Sequence, residues 1–144
     1  MIKLSTGTAL AAALSVSLFT STGAAGQTRT AIFAGGCFWC VEADFDKVDG
    51  VLSTVSGYTG GNTTNPTYKS VTYGNSGHYE AVRVTYNSAI VSYETLTEYF
   101  LRHVDPTDDG GQFCDRGHSY KTAIFVATPQ ERDTAETEIE EAAE

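Results

Sequence analysis

The sequence predicts one α+β domain whose elements follow the order β-α-β-β-α-β-α. Three observations carry this expectation. Apolar residues recur at three- and four-residue spacing in two stretches, Phe38 to Val48 and Leu96 to Val104, as on the buried stripe of a helix. Four short runs rich in β-branched residues or in strict alternation lie around them. The length, 144 residues, suits one ordinary domain with a real core.

Taken in order, Thr30–Ala34 reads as a buried strand after a short polar lead. Phe38, Val41, Phe45 and Val48 then form the apolar face of a helix, which Asp49-Gly50 ends. Val51–Tyr58 reads as a second strand. Thr59–Asn65 is a loop around Gly60-Gly61-Asn62, and Pro66-Thr67-Tyr68 either prolongs it or opens a short helical turn. Glu80–Tyr86 alternates and reads as a third strand with one wet face. Ser92 caps a second helix whose stripe is Leu96, Tyr99, Phe100, His103 and Val104. Asp105–Ser119, rich in Gly and Asp, is too long for an idle connection and is expected to be a functional loop. Thr122–Val126 is a fourth strand. Thr128-Pro129-Gln130-Glu131 is a capping box with proline at the first helical position, opening a helix expected to run to Glu144. This order is the split β-α-β arrangement of ferredoxin-like domains.

Residues 1–25 read as a secretory signal peptide, so the folded domain is expected over 26–144 of an exported, periplasmic or secreted protein. Lys3 precedes the apolar stretch Ala9–Phe19, and Gly23-Ala24-Ala25 supplies the small side chains of a cleavage site; a retained signal anchor is the alternative. The formal charge of −9 becomes −10 when Lys3 is removed with the leader, because residues 1–25 hold no acidic residue. That balance argues against nucleic acid and anionic membranes. Much of it sits in Glu131–Glu144, read as a solvated helix face.

The three cysteines make an odd number for an oxidising compartment, and read more readily as a working set than as a structural framework. Two of them lie in Gly35-Gly36-Cys37-Phe38-Trp39-Cys40, where a strand turns into a helix. A cysteine there faces the positive end of the helix dipole, which favours the nucleophilic thiolate. Three chemistries fit. Cys37-x-x-Cys40 with Cys114-x-x-x-His118 has the ligand count of a structural zinc site. Cys-x-x-Cys at a helix start also suits a thioredoxin-like disulfide exchanger.

The third follows from a resemblance. Gly36-Cys37-Phe38-Trp39 with Glu42 is similar to the signature of the peptide methionine sulfoxide reductase A family. Gly57-Tyr58-Thr59-Gly60-Gly61, Asn65-Pro66-Thr67-Tyr68, Gly77-His78-Tyr79-Glu80, His103-Val104-Asp105-Pro106-Thr107 and Asp115-Arg116-Gly117-His118-Ser119-Tyr120 resemble further family blocks in the same order, over roughly residues 30–128. The resemblance implies an enzyme that reduces the S epimer of methionine sulfoxide, free or in proteins. Cys37 is then the nucleophile and Glu80 the proton donor, which must sit protonated in an apolar pocket. Tyr68, Tyr120 and Asp115 match positions around the sulfoxide oxygen, and Phe38 and Trp39 form a cup for the substrate's S-methyl group. Cys37 becomes a sulfenic acid that a second thiol resolves. Family members often carry that thiol in a C-terminal tail, and this chain is expected to be a fragment lacking it. Cys114 and Cys40 are therefore the candidates, with Cys114 favoured because a mobile loop could deliver it while Cys40 could point away along the helix. Thioredoxin or another dithiol is the expected reductant of a monomer, with no bound cofactor and no metal.

Overall fold

The computed structural model describes residues 26–143. The expected leader, residues 1–25, lies outside the described residues. Within them, β1 (Thr28–Ala34), α1 (Phe38–Phe45), β2 (Val51–Thr59), α2 (Tyr68–Thr72), β3 (Tyr79–Asn87), α3 (Tyr93–Leu101), β4 (Gly111–Gln112), β5 (Asp115–Arg116), β6 (Ala123–Phe125) and α4 (Pro129–Ala142) succeed one another, with a 3-10 turn at His118–Tyr120. The result is a mixed α/β fold on a sheet of order β2-β3-β1-β6 in which each neighbouring pair is antiparallel. A two-stranded ribbon, β4-β5, stands apart from it.

The core lies between one face of this sheet and the helices. Phe33 on β1 is fully buried, its ring 4.9 Å from Phe45 of α1 and 5.0 Å from Phe100 of α3. Val82, Val84 and Tyr86 of β3 share the cluster with Leu96. Period-2 alternation turns these strand residues to one face, and each such side chain contributes about 1.5–3 kcal/mol by leaving water.

The expected caps form. Ser92 accepts the Thr95 N–H at 3.0 Å, and Thr128 accepts that of Glu131 at 3.1 Å. Glu131 reaches back to the Ala127 N–H at 2.7 Å, one residue before the expected partner. Several expected bounds shift. The first helix ends at Phe45 and continues to Val48 only as turns, and the last closes at Ala142 with Ala143 as its cap. Glu138 is buried against its surroundings, so the acidic run is not wholly a solvated face. His103 is exposed, its ring stacked 4.0 Å from Tyr99, and so falls outside the buried stripe of α3. Pro66-Thr67-Tyr68 does open a helix: Thr67 and Ser70 exchange side-chain-to-backbone bonds at 3.2 and 2.9 Å.

The 105–119 stretch departs most from expectation. Asp105 caps Thr107, Arg116 is paired with Asp108, and Phe113-Cys114 forms the two-residue turn between β4 and β5. Bonds within the stretch at Asp105 and between Asp108 and Arg116 thus accompany the ribbon, with Cys114 in its turn.

Candidate active site

The site is assembled where β1 passes into α1. Gly35 approaches α3 so closely that a Cβ would lie 2.6 Å from Val104 Cγ1 and 2.9 Å from Phe100 Cε2. Gly36 has φ +87°, where a side chain is strained. The glycines thus let the chain turn tightly, and Cys37 becomes the N-cap of α1. The sulfur makes no cap bond of its own, and the first turn holds no acidic residue. The first free amide of the helix, the Phe38 N–H, donates instead to Glu80 Oε2 on β3 at 3.1 Å. Cys37 and Glu80 are thereby brought to one place across 42 residues from Phe38.

Glu80 is only 1% exposed and its other oxygen, Oε1, is buried with no partner. It belongs to the same strand face as Val82 and Val84, so it is no wet-face glutamate. Burial pushes its carboxyl above the usual range, the Asp115 charge adds to that, and the Phe38 N–H opposes it. A buried carboxyl held toward its neutral form, with one oxygen free, is equipped to donate a proton.

Phenols surround it. Tyr58 pairs with Glu80 across β2-β3, and its ring lies 5.7 Å from Phe38. Burial, then Glu80 and Tyr68, hold the Tyr58 hydroxyl above its ordinary value. The Tyr120 hydroxyl is pushed up to about 12 by burial first, then by the neighbouring Tyr68 hydroxyl and the Glu80 charge. Tyr120 and Tyr68 therefore lie within electrostatic reach of Glu80. Tyr58 was assigned no role from sequence; its place opposite Glu80 is set by strand register, which no local signal encodes.

Phe38 is buried, while Trp39 is 71% exposed with its ring 6.0 Å from that of Phe38. Together they make one buried and one open apolar wall beside the sulfur. Cys40 is exposed, and its backbone N–H donates to the Cys37 carbonyl at 3.0 Å in the first turn of α1. Burial first, then the neighbouring Cys37 sulfur, push the Cys40 thiol up, and Asp115 and Asp44 add to this. Cys114 is exposed at the ribbon tip.

Further contacts set the frame. On α1, Glu42 accepts from Ser56 at 2.5 Å and Asp46 from Thr54 at 2.6 Å, fixing the helix over β2. His78 accepts the Gly61 N–H at Nδ1 (3.2 Å) and turns Nε2 to the Thr63 carbonyl (2.9 Å), pinning the loop ahead of Tyr68. His118 faces the Gly77 carbonyl at 2.9 Å through Nε2. Gln112, also without a role in the sequence reading, is buried at 2% exposure beneath Gly36. Among the described residues no three His, Cys, Asp or Glu side chains converge as a metal-binding group, so the zinc set Cys37, Cys40, Cys114 and His118 is not brought together. A cleft of about 370 Å³ between α3 and α4, lined by Glu98, Arg102, Glu138 and Glu141, contains none of the site residues.

Known proteins match this chain in sequence and in fold. The family model described as peptide methionine sulfoxide reductase matches residues 29–144. Peptide methionine sulfoxide reductase MsrA 2 of Caulobacter vibrioides is 61% identical over 120 residues, covering 83% of this chain and 61% of the relative. Peptide methionine sulfoxide reductase MsrA of Bacillus pumilus is 50% identical over 114 residues, covering 79% of this chain and 64% of the relative. The chain therefore spans about three fifths of the length of the curated relatives it matches. Among solved structures, methionine sulfoxide reductase A of Corynebacterium diphtheriae superposes with a TM-score of 0.73 at 32% identity, over 81% of this chain and 58% of that one. Reduced Mxr1 from Saccharomyces cerevisiae gives 0.74 at 27%, over 79% and 67%.

Proposed function

The chain belongs to the peptide methionine sulfoxide reductase family, and on that premise we propose that it reduces the S epimer of methionine sulfoxide, free or in oxidised proteins, by thiol chemistry. One observation carries the reading: the N-cap Cys37 shares its helix start with Glu80, a buried carboxyl held toward neutrality with an unpartnered oxygen. A thiolate needs such an acid to remove oxygen from sulfur, whereas disulfide exchange does not.

In the proposed reaction the Cys37 sulfur attacks the sulfoxide sulfur while Glu80 protonates its oxygen, with Tyr68 and Tyr120 donating to that oxygen and Asp115 beside them. Phe38 and Trp39 receive the S-methyl group. The protonated oxygen then passes from the substrate sulfur to the Cys37 sulfur as the substrate S–O bond and the transient S–S bond break, so methionine leaves and Cys37 is left as a sulfenic acid. A second thiol condenses with it, releasing water and forming a disulfide. Cys40 is favoured over Cys114 for this step, supported by its place in the first turn of α1, where its N–H donates to the Cys37 carbonyl at 3.0 Å. A dithiol such as thioredoxin would then return two electrons and two protons to the pair.

Residues 1–25 support export of a monomeric 26–144 domain, which would take its electrons from a dithiol relay outside the cytosol. The sheet order β2-β3-β1-β6 supports a ferredoxin-like reading of the fold. Thioredoxin-like exchange is the second reading, supported by the Cys37-x-x-Cys40 spacing at the start of α1 alone.

The test separates them. The purified protein with a dithiol reductant is given S- and R-epimers of a methionine sulfoxide peptide, and insulin disulfides in parallel. Conversion of the S epimer alone is the expected result. Insulin reduction without sulfoxide turnover would replace this reading with the second.

A further inference from the structure

We propose that Gln112 is a positioning residue that sets the Cys37 turn against the ribbon carrying Asp115; this rests on the reductase reading above. Gln112 is 2% exposed, and its amide bonds to chain segments that meet near the site. Oε1 accepts the Asp105 N–H at 2.8 Å. Nε2 donates to the Asp105 carbonyl at 2.7 Å, to the Gly111 carbonyl at 2.9 Å and to Thr122 Oγ1 at 2.9 Å. Three acceptors for two hydrogens leave one hydrogen shared, so the group cannot rotate without losing a bond.

The stem of the same side chain does a second job. A Cβ on Gly36 would lie 2.7 Å from Gln112 Cβ and 3.2 Å from its Cγ, so the residue before the nucleophile rests directly on it. Across the ribbon Gln112 pairs with Asp115. One buried residue therefore links, by its side chain, the segment after α3, the residue before β6 and the Cys37 turn, and, by its place in the ribbon, the Asp115 strand. A buried amide is costly unless bonded, and an apolar residue of equal volume would pack here without that cost. What only the amide adds is a fixed distance between nucleophile and acidic ribbon. Displacement of about 1 Å at such a junction is enough for about a 100-fold loss.

The experiment compares wild type with Gln112→Met, which keeps the stem against Gly36 and loses all four bonds, and with Thr122→Val, which loses one. Two rates are read per folded molecule: single-turnover reduction of the S-sulfoxide, and alkylation of Cys37 by iodoacetamide, which needs no alignment with the acid. Gln112→Met is expected to slow reduction about 10- to 100-fold and to change alkylation less than about threefold. Thr122→Val should slow reduction about threefold or more, and it decides the matter if Gln112→Met fails to fold. Unchanged reduction, or equal falls in both rates, with an active wild type overturns the positioning role alone. A wild type without sulfoxide turnover overturns it together with the reading beneath it.

Discussion

The Phe38 N–H and the Glu80 carboxylate lie 3.1 Å apart, so a helix start and a strand 42 residues away share one hydrogen bond. The bond occupies one carboxylate oxygen and leaves the other buried and unpaired. It also hands Glu80 two opposed influences, desolvation raising its affinity for a proton and the amide lowering it, with desolvation the larger. Several consequences can be measured.

Cys37→Ser should abolish turnover of the S-sulfoxide while the circular dichroism spectrum is kept, since Cys37 is half-buried at a cap where serine is well tolerated. Product analysis by chromatography reads this directly. Turnover surviving the substitution would move the nucleophile elsewhere.

Glu80→Gln should slow the reductive step about 10²- to 10⁴-fold. In the proposed reaction Glu80 acts in its protonated form, so the single-turnover rate should fall as pH rises through the raised value of Glu80, and the variant should lose that fall. Stability should respond too. Between the ordinary carboxyl value of 4.5 and the raised one, the folded state holds a proton that the unfolded state has released. Wild-type stability therefore declines with rising pH across that window, and Glu80→Gln, which cannot ionise, should unfold at higher denaturant near neutrality. A pH series of urea melts checks the sign.

Tyr120→Phe should reduce turnover about tenfold or more without shifting the acid side of the pH profile. The hydroxyl, held up to about 12, remains a donor throughout the neutral range, so its loss is felt equally at each pH tested there. A pH-independent ratio of wild-type to variant rates is the expected outcome.

Peptide mapping after one turnover should find a Cys37–Cys40 disulfide in the wild type and in Cys114→Ser, and a trapped sulfenic acid in Cys40→Ser. A Cys37–Cys114 bond would reassign the resolving role to the ribbon.

Phe33→Ala should cost about 3–5 kcal/mol, because Phe33 is fully buried against Phe45, Phe100 and Tyr93. Chemical denaturation measures it.

Much of this was legible in the chain, and for identifiable reasons. Ser92 and Thr128 act through neighbours three residues on, so local spacing was sufficient to find them. Glu80 has the parity of Val82 and Val84, so alternation already placed it inward, although a charged residue invites the opposite reading. Tyr58, Gln112 and the β4-β5 ribbon escaped notice because their roles depend on partners distant in sequence: register with β3, contact with Gly36, a bond to Thr122. The bonding within the 105–119 stretch was hidden for the same reason. Glycine and aspartate look flexible until Asp105, Asp108 and Gln112 find their partners.

Because β3 is inserted between β1 and β2, thiol and acid reach the centre from opposite sides of a long excursion of chain. The β1–β3 ladder is also what sets Phe38 against Glu80, so docking of the middle strand and pairing of the proposed nucleophile with its proposed acid are one structural event.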